Sequence, residues 1–150
     1  MESMITGLTP TRAEVNDVAN SVMDGADAVM LSAETSVGKF PIEVIKTMRR
    51  IVVGVENSSL INVPLKEPKN RNERFITKSV CYHASSMANE IKAKAICSLT
   101  NSGYTAYQIS AWRPKASILV FSSNLRVLPQ LNLLWGCLLY TSDAADETER

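Results

Sequence analysis

Cysteine is scarce in this chain, and its three copies stand far apart in the sequence. Cys81, Cys97 and Cys137 form no Cys-x-x-Cys motif, which excludes the commonest signature of a metal or redox site. Their odd number also argues against a framework of disulfide bonds. We interpret the three residues as buried or incidental thiols.

Long apolar runs and an excess of charge of one sign are missing too. No apolar segment approaches the roughly 20 residues that a membrane span needs, and the first residues are not followed by the apolar core of a signal peptide. With a formal net charge of +1 and a pI near 7.7, the chain has no basic excess that would attract nucleic acid. The composition therefore predicts a cytoplasmic protein that binds neither membranes nor nucleic acid.

The first third of the chain alternates helix and strand patterns. Thr11 followed by Glu14 is a capping box, and helical spacing of apolar residues continues from there until Gly25 offers a stop. Residues 26–33 are a short apolar run, which predicts a strand buried on both faces, and Pro41 suits the first position of a second helix. The apolar positions of the two helices are Val15, Val18, Ala19, Val22 and Met23, and then Val44, Ile45, Met48, Val52 and Val55.

Composition changes after Glu56. Residues 57–74 contain two prolines, four asparagines and many charges without periodicity, so we expect a linker between two domains.

The α/β alternation resumes after this linker. Residues 93–99 and 117–121 predict buried strands, Gly103 introduces a helix, and residues 125–134 predict a weaker helix that Pro129 interrupts. A long amphipathic helix precedes them, and its predicted buried stripe is Ile76, Val80, Ala84, Met87 and Ile91. We expect His83 on that stripe to be a packing residue, and Trp112 to belong to a core or an interface.

Neither half is expected to form a closed domain by itself. A (β/α)8 barrel takes on the order of 250 residues, and a second α/β layer would need more than the two strands that the pattern predicts. The segment 137–147 fits no element and looks like an in-frame translation of a sequencing adapter. We therefore exclude residues 137–150 from the predicted fold as a non-native tail.

One strand end carries polar residues suited to chemistry. Ser32 and Glu34 place a hydroxyl and a carboxylate two residues apart at the carboxyl end of the predicted strand, where parallel α/β folds gather ligand groups. A structural alternative stays open on these residues alone, in which Ser32 and Thr35 make local turn hydrogen bonds and Glu34 is solvated.

A longer pattern decides between the two. Several short motifs occur in a fixed order and spacing, and together they closely resemble the pyruvate kinase family over most of residues 1–136. Before the linker they are Met1 to Ile5, Pro10 to Val15, Asp17 to Asn20, Asp24 to Asp27 and Met30 to Thr35, continued by Gly38, Phe40 and Pro41; after it they are Thr100 to Gly103 and Trp112 to Ala116.

The resemblance implies a fold and a reaction. Residues 1–56 would be the last β/α unit of a TIM (β/α)8 barrel, and residues 75–136 the first part of an α/β C-terminal domain with a mostly parallel sheet. Pyruvate kinases transfer the phosphoryl group of phosphoenolpyruvate to ADP in glycolysis, giving ATP and an enolate that is protonated to pyruvate. They use Mg²⁺ and usually K⁺, and the complete enzyme would be a homotetramer.

The same resemblance assigns residues to two sites. Ser32 would relay a proton or orient water toward the enolate, and Glu34 would organise the site without binding metal, because the family's metal ligands come from strands that this chain lacks. A loop of hydroxyls and backbone N–H groups matches the family's phosphate-holding effector loop, although Asn101 and Tyr104 stand where regulated relatives often carry basic residues. Its candidate residues are Thr100, Asn101, Ser102, Gly103 and Thr105, and a purely structural turn is the alternative.

Two other functional classes stay open. Residues 75–135 are also compatible with a stand-alone phosphate-binding α/β module, because fold class does not fix function. Alternatively the 150-residue chain by itself is a non-functional truncated product that exposes unpaired sheet edges.

Overall fold

The chain divides into two compact units, residues 1–62 and 63–150, and the division falls within the predicted linker. The computed structural model describes residues 1–58, 68 and 73–141, so most of the segment 57–74 lies outside the described residues. The two units are described separately below.

All regular elements in the described part of the first unit are helical. A 3₁₀ turn, Glu2–Ile5, precedes α1 (Arg12–Met23), α2 (Ala33–Ser36) and α3 (Pro41–Glu56). The capping box at the start of α1 is confirmed, because the Thr11 side chain accepts from the Glu14 N–H while the Glu14 side chain accepts from the Thr11 N–H. The predicted start of α3 at Pro41 is confirmed as well.

The core of the first unit lies between α1 and α3. Its buried residues include Met4 from the 3₁₀ turn, Val22 from α1 and Val44 from α3, with Met48 and Val55 on the same face of α3. These positions recur at helical spacing, as an amphipathic helix requires. The prediction for α3 was wrong at Ile45, which is 54% exposed.

Residues 26–33 form no strand in this structure, which contradicts the prediction of a strand buried on both faces. Val29 is 38% exposed and Met30 is 87% exposed. A parallel strand is stabilised by hydrogen bonds to neighbouring strands, and the described part of this unit supplies none. The apolar run therefore remains an irregular segment that leads into α2.

The second unit is built on a parallel sheet, which confirms the predicted α/β class. Strand order is β1-β2-β3, and both pairs are parallel. Ala95 pairs with Ser117 at the start of β1, and Ile118 pairs with Cys137 at the start of β3. The elements in chain order are α4 (Phe75–Glu90), β1 (Ala95–Leu99), α5 (Tyr104–Ala111), β2 (Ser117–Ser122), α6 (Leu128–Leu131) and β3 (Cys137–Thr141).

The core of this unit gathers around the central strand. Ile118 and Val120 of β2 are fully buried, and they pack with Ala106 and Ile109 of α5, Leu131 of α6 and Cys81 of α4. Alternation along β2 places every second side chain in this core, as the pleat of a strand dictates.

The buried face of α4 differs from the predicted one. Cys81, Ser85 and Ala88 face the core, whereas Ile76 is 75% exposed and Ile91 is 70% exposed. Val80 and Met87 of the predicted stripe are exposed too. Small side chains allow a helix to approach a sheet closely, so the core here selects the Cys-Ser-Ala face instead of the bulkier one.

The sequence analysis excluded residues 137–150 from the predicted fold. The structure contradicts this for residues 137–141, which form the third strand. Cys137–Thr141 pair with β2 in register, and their side chains alternate between half-buried and exposed positions. A short alternating apolar segment is enough to extend a parallel sheet, whatever its origin. The proposed non-native origin of the tail stays a prediction, and residues 142–150 lie outside the described residues.

The remaining predictions on composition can be compared with the described residues. Cys81 is buried, Cys97 is exposed and Cys137 is half-buried, and all three are free thiols. In the described ranges, no helix is long and apolar enough to cross a membrane. Pro129 lies in the first turn of α6, and this helix is only four residues long.

Candidate functional site

Ser32 and Glu34 meet at the start of α2. The Ser32 backbone N–H donates a hydrogen bond to Glu34 Oε2 at 3.0 Å, and the Thr35 hydroxyl donates to the Ser32 carbonyl at 3.1 Å. Ser32 occupies the N-cap position of α2, but its hydroxyl makes no capping hydrogen bond. Within the described residues, no other group bonds this hydroxyl, and the Ser32 residue is exposed. The turn therefore presents the hydroxyl outward while holding its backbone.

The carboxylate of Glu34 is held in its ionised form. The Ser32 N–H, followed by the N–H of Glu34 itself, lowers the pKa of Glu34 below its ordinary value. The Glu34 side chain is only 14% exposed. The local turn hydrogen bonds of the structural alternative are thus present, while Glu34 is half-buried and not fully solvated. An ionised carboxylate can only accept hydrogen bonds, so Glu34 is suited to organise donors and not to donate a proton.

Gly38 lies four residues after Glu34, and its backbone packs against the backbone of Glu34. A Cβ atom at position 38 would lie 2.2 Å from the Glu34 carbonyl oxygen, far inside any tolerated contact. Next to it, the Lys39 N–H donates to the Ile5 carbonyl at 2.8 Å, which ties the segment after α2 to the 3₁₀ turn. Only glycine permits this close approach of two backbone segments.

Glu14 has a role that its capping position did not reveal. Besides the N–H of Thr11 at 2.8 Å, its carboxylate accepts the backbone N–H of Ser3 at 2.8 Å and the Ser3 hydroxyl. These donors, with the Ser3 hydroxyl as the largest cause, lower the pKa of Glu14 to about 2. Glu14 therefore joins the 3₁₀ turn to α1, and no short motif in the sequence signals a contact across eleven residues.

The 100–105 loop is a turn closed largely by its own side chains. Thr100 Oγ1 accepts the Gly103 N–H at 3.0 Å, and Ser102 Oγ accepts the Tyr104 N–H at 3.4 Å. Thr105 Oγ1 accepts a hydrogen bond from the Ser98 hydroxyl of β1 at 3.0 Å. The loop thus has the internal bonding of the structural alternative, while the protons on the Thr100 and Ser102 hydroxyls remain available for donation.

Gly103 and Asn101 anchor the loop to the elements beside it. Gly103 caps α5 with φ of +78°, and a Cβ atom there would lie 2.8 Å from the Val127 side chain. The Asn101 carbonyl accepts a hydrogen bond from Asn124 Nδ2 at 3.0 Å. A positive φ and a packed neighbour together require glycine at position 103.

The structure brings to this loop a cation that sequence analysis did not assign. The Arg74 guanidinium carbon lies 4.6 Å from the centre of the Tyr104 ring, within the usual range of a cation–π contact. Arg74 falls in the segment predicted as a linker, thirty residues before Tyr104. Since no periodic pattern joins the two residues, only the folded chain could reveal this contact.

The described residues do not form a metal centre. Residues 1–58, 68 and 73–141 contain no group of three or more His, Cys, Asp or Glu side chains that could hold an ion. The Glu34 carboxylate accepts a hydrogen bond from the Ser32 N–H at 3.0 Å.

His83 and Trp112 lie together with one tyrosine. The Tyr82 ring makes edge-to-face contacts with both, at centroid distances of 5.1 Å to His83 and 5.0 Å to Trp112. Trp112 is half-buried at the end of α5. His83 is exposed on the outer face of α4, so it is not buried in this unit as the predicted stripe required.

Comparisons with known families match both units of the chain. Residues 1–45 match the family described as "Pyruvate kinase, barrel domain", and residues 78–150 match "Pyruvate kinase, alpha/beta domain". The chain is 43% identical over 136 residues to pyruvate kinase 2 of Synechocystis, covering 91% of this chain and 22% of that protein. It is 41% identical over 149 residues to the pyruvate kinase of Corynebacterium efficiens, covering 99% of this chain and 30% of that protein.

Solved structures give the same result. A crystal structure of Cryptosporidium parvum pyruvate kinase has a TM-score of 0.81 and 34% identity, over 95% of this chain and 30% of that one. The complex of Cryptosporidium parvum pyruvate kinase with ADP has a TM-score of 0.78 and 33% identity, over 98% of this chain and 30% of that one. The chain thus spans less than a third of the length of these relatives.

Proposed function

Because this chain belongs to the pyruvate kinase family, we propose that it forms part of an enzyme that converts phosphoenolpyruvate and ADP to pyruvate and ATP. In this reaction the bond between phosphorus and the enol oxygen of phosphoenolpyruvate breaks, and a terminal oxygen of ADP takes the phosphoryl group. The enolate that remains accepts a proton on its terminal carbon and becomes pyruvate.

We assign Ser32 to the protonation step. Its hydroxyl is exposed at the start of α2 and donates to no described group, so it is able to donate to a substrate or to orient a water molecule. A hydroxyl is neutral, so it adds no negative charge beside the phosphoryl group. A carboxylate in the same place would be repelled by the phosphoryl oxygens.

Glu34 acts as a positioning residue. The observation that carries the assignment is the 3.0 Å hydrogen bond from the Ser32 N–H to Glu34 Oε2, within a segment that matches the barrel domain of the family. With its pKa lowered by that N–H, the carboxylate stays ionised at neutral pH and keeps the turn in place.

Mg²⁺ and K⁺ would bind outside this chain. In the family the ligands of both ions come from segments that this chain does not contain, so we assign no metal ligand here. When bound, the divalent ion would stabilise negative charge on the transferring phosphoryl group. We place the complete enzyme in the cytoplasm as a homotetramer.

The 100–105 loop is proposed as an effector site of the same enzyme. The exposed Ser102 hydroxyl, the half-buried Thr100 hydroxyl and the N-terminus of α5 are suited to contact a phosphate group. The candidate residues remain Thr100, Asn101, Ser102, Gly103 and Thr105.

A chimeric enzyme tests the proposal directly. The segment of Synechocystis pyruvate kinase 2 that aligns with this chain is replaced by this chain's residues, so that the relative supplies the rest of the barrel. We expect pyruvate formation in a coupled lactate dehydrogenase assay. A folded chimera of the parent's oligomeric state with no activity would contradict the proposed function.

The 150-residue chain alone serves as the second arm. We expect no metal-dependent pyruvate formation above that of its Ser32→Ala variant, because Ser32 and Glu34 cannot position phosphoenolpyruvate without the other barrel strands. Clear activity of the isolated chain would show that the site needs less of the barrel than we propose.

A further inference from the structure

The carboxylate of Glu14 bonds to two segments of the first unit, and only one of them belongs to its capping box. Its Oε2 accepts the Thr11 N–H at 2.8 Å and the Thr11 hydroxyl at 2.9 Å. Its Oε1 accepts the Ser3 N–H at 2.8 Å, and its Oε2 also accepts the Ser3 hydroxyl. Helix capping needs only the contacts with Thr11. The two contacts with Ser3 therefore call for a second role.

A carboxylate is well suited to this set of four donors. The Glu14 side chain is 17% exposed, so water replaces little of the bonding. A carboxylate has two acceptor oxygens and no proton, so all four donors can point at it, whereas an amide in the same place would turn an NH₂ group toward at least one of them. Since the pKa of Glu14 lies at about 2, the ionised group acts as a fixed anchor and donates no proton to a substrate.

The 3₁₀ turn that Glu14 anchors is also bonded to the segment after α2. The Ile5 carbonyl, at the end of the turn, accepts the Lys39 N–H at 2.8 Å. Met4, between Ser3 and Ile5, is fully buried, and the turn contacts α2 directly. A four-residue turn that is bonded at both sides of a buried residue moves as one piece. The position of Lys39 therefore depends on the contact between Ser3 and Glu14.

Lys39 in turn continues from the backbone that carries Ser32. The Gly38 N–H donates to the Ala33 carbonyl at 3.0 Å, and the Ser36 N–H donates to the Ser32 carbonyl at 3.0 Å. These bonds close the chain from Ser32 to Gly38 into one compact turn, so a shift at Lys39 is passed to Ser32. A continuous path of hydrogen bonds thus leads from Glu14 to the candidate catalytic hydroxyl.

We propose that Glu14 is a positioning residue of the candidate active site, which holds the Ser32 hydroxyl in place through the 3₁₀ turn and Lys39. This role rests on the proposed protonation step at Ser32. Small misplacements of a group that must meet a reacting atom lower the rate of the chemical step. Loss of the Glu14 carboxylate should therefore lower kcat and leave the KM for phosphoenolpyruvate nearly unchanged.

Amide hydrogen exchange in the 150-residue chain tests the connection without catalysis. Ser3→Ala and Thr11→Ala form a matched pair, because each removes one hydroxyl that donates to Glu14 Oε2. The Met48 N–H, inside α3, reports opening of the whole unit. We expect Ser3→Ala to speed exchange of the Lys39 N–H about tenfold relative to that of Met48, as loss of a hydrogen bond to a charged group does.

The matched variant decides whether the turn or the helix cap matters. Thr11→Ala should leave the ratio of the Lys39 and Met48 exchange rates unchanged, although loss of the cap lowers the stability of α1. A ratio that rises equally in Ser3→Ala and Thr11→Ala, or that rises in neither, would overturn the proposal.

Steady-state kinetics of the chimeric enzyme test the effect on the site. Glu14→Gln should lower kcat about tenfold with little change in KM. Glu43→Gln, which removes a carboxylate from an exposed ion pair with Lys46, should leave both parameters unchanged. In a Ser32→Ala background, Glu14→Gln should cause little further loss, because the group that it positions is already absent. An equal loss in both backgrounds would show that Glu14 acts independently of Ser32 and would overturn the proposal.

The two measurements separate this role from the proposed function. The exchange rates depend on the folded chain and not on a reaction, so they decide the connection between Glu14 and Lys39 even with an inactive chimera. A folded but inactive chimera contradicts the proposed function and leaves that connection standing. If the chimera is active and Ser32→Ala leaves kcat unchanged, the role of Ser32 fails and the positioning role of Glu14 fails with it.

Discussion

Gly38 packs so closely against Glu34 that a Cβ atom at position 38 would lie 2.2 Å from the Glu34 carbonyl oxygen. The same peptide region carries the hydrogen bond between the Ser32 N–H and the Glu34 carboxylate. A change at Gly38 therefore acts on the backbone that positions both candidate catalytic residues.

Gly38→Ala should destabilise the first unit and displace Glu34. The added methyl group meets backbone and not a flexible side chain, so relief needs a backbone shift, and overpacking of this kind costs about 1–3 kcal/mol. Chemical denaturation of the chain and kcat of the chimeric enzyme measure the two effects.

Gly54→Ala is the matched control, because nothing lies within 4 Å of a Cβ atom at that position in α3. This control should stabilise the chain by about 0.5–1 kcal/mol, since alanine replaces glycine inside a helix. Equal effects of the two substitutions would contradict the predicted clash.

Ser32→Ala in the chimeric enzyme should lower kcat by roughly ten- to a thousand-fold, with little change in the KM for phosphoenolpyruvate. General acid groups typically contribute on this scale, and a loss confined to kcat indicates an interaction made in the transition state. Steady-state kinetics at saturating ADP measure both parameters. Ser36→Ala, an exposed serine in the same short helix, should leave both unchanged. An unaltered kcat in Ser32→Ala would refute the protonation role.

Glu14 should make the stability of the first unit depend on pH in acid. Its pKa lies at about 2 in the folded chain, below the ordinary 4.5, so the folded state holds the carboxylate ionised more firmly than the unfolded state does. The stabilisation is therefore complete above about pH 4.5 and is lost as pH falls from there toward 2. The free energy of unfolding, measured with denaturant across this pH range, should decline less in Glu14→Gln than in the unchanged chain.

A surface glutamate provides the control for this experiment. Glu43 lies in an exposed ion pair with Lys46 at 2.8 Å, and such pairs contribute about 0–1 kcal/mol. Glu43→Gln should therefore leave the acid decline close to that of the unchanged chain. If Glu14→Gln behaves like Glu43→Gln, the hydrogen bonds from Ser3 and Thr11 do not stabilise the folded state.

Fructose bisphosphate should activate the chimeric enzyme weakly or not at all. Asn101 and Tyr104 carry no positive charge, so neither offsets the desolvation of a phosphate group at this loop. Charge-assisted hydrogen bonds contribute about 1.5–3 kcal/mol against about 1 kcal/mol for neutral ones, so a missing cation weakens binding by about tenfold. Asn101→Lys should restore a stronger response at sub-saturating phosphoenolpyruvate, whereas Asn101→Gln should not. Strong activation of the unchanged chimera at micromolar effector would contradict this prediction.

Features that depend on neighbouring residues could be predicted from the sequence. The capping box of Thr11 and Glu14 and the start of α3 at Pro41 rest on hydrogen bonds and backbone angles within one turn of helix. The position of Gly103 at the start of α5 could be predicted from the sequence in the same way. The order of helices and strands from α4 to α6 followed from periodicity, which needs no knowledge of what each element packs against.

Features that depend on distant segments were decided by the tertiary structure. The core took the Cys81 and Ala88 face of α4 and not the bulkier stripe, because side-chain volume at the sheet decides how closely a helix can approach. Residues 26–33 carry a strand-like sequence yet form no strand, while residues 137–141 became one by pairing with β2. Strands need hydrogen-bonding neighbours that the local sequence does not contain.

The two candidate sites divide in the same way. The predicted strand end and the family motif identified Ser32 and Glu34 as candidates, and the motif identified the 100–105 loop, since order and spacing are linear properties of the chain. The contacts of Glu14 with Ser3, and of Arg74 with Tyr104, join residues eleven and thirty positions apart. Such contacts depend on chain reversal and packing, so the fold alone determined which charges reach each site.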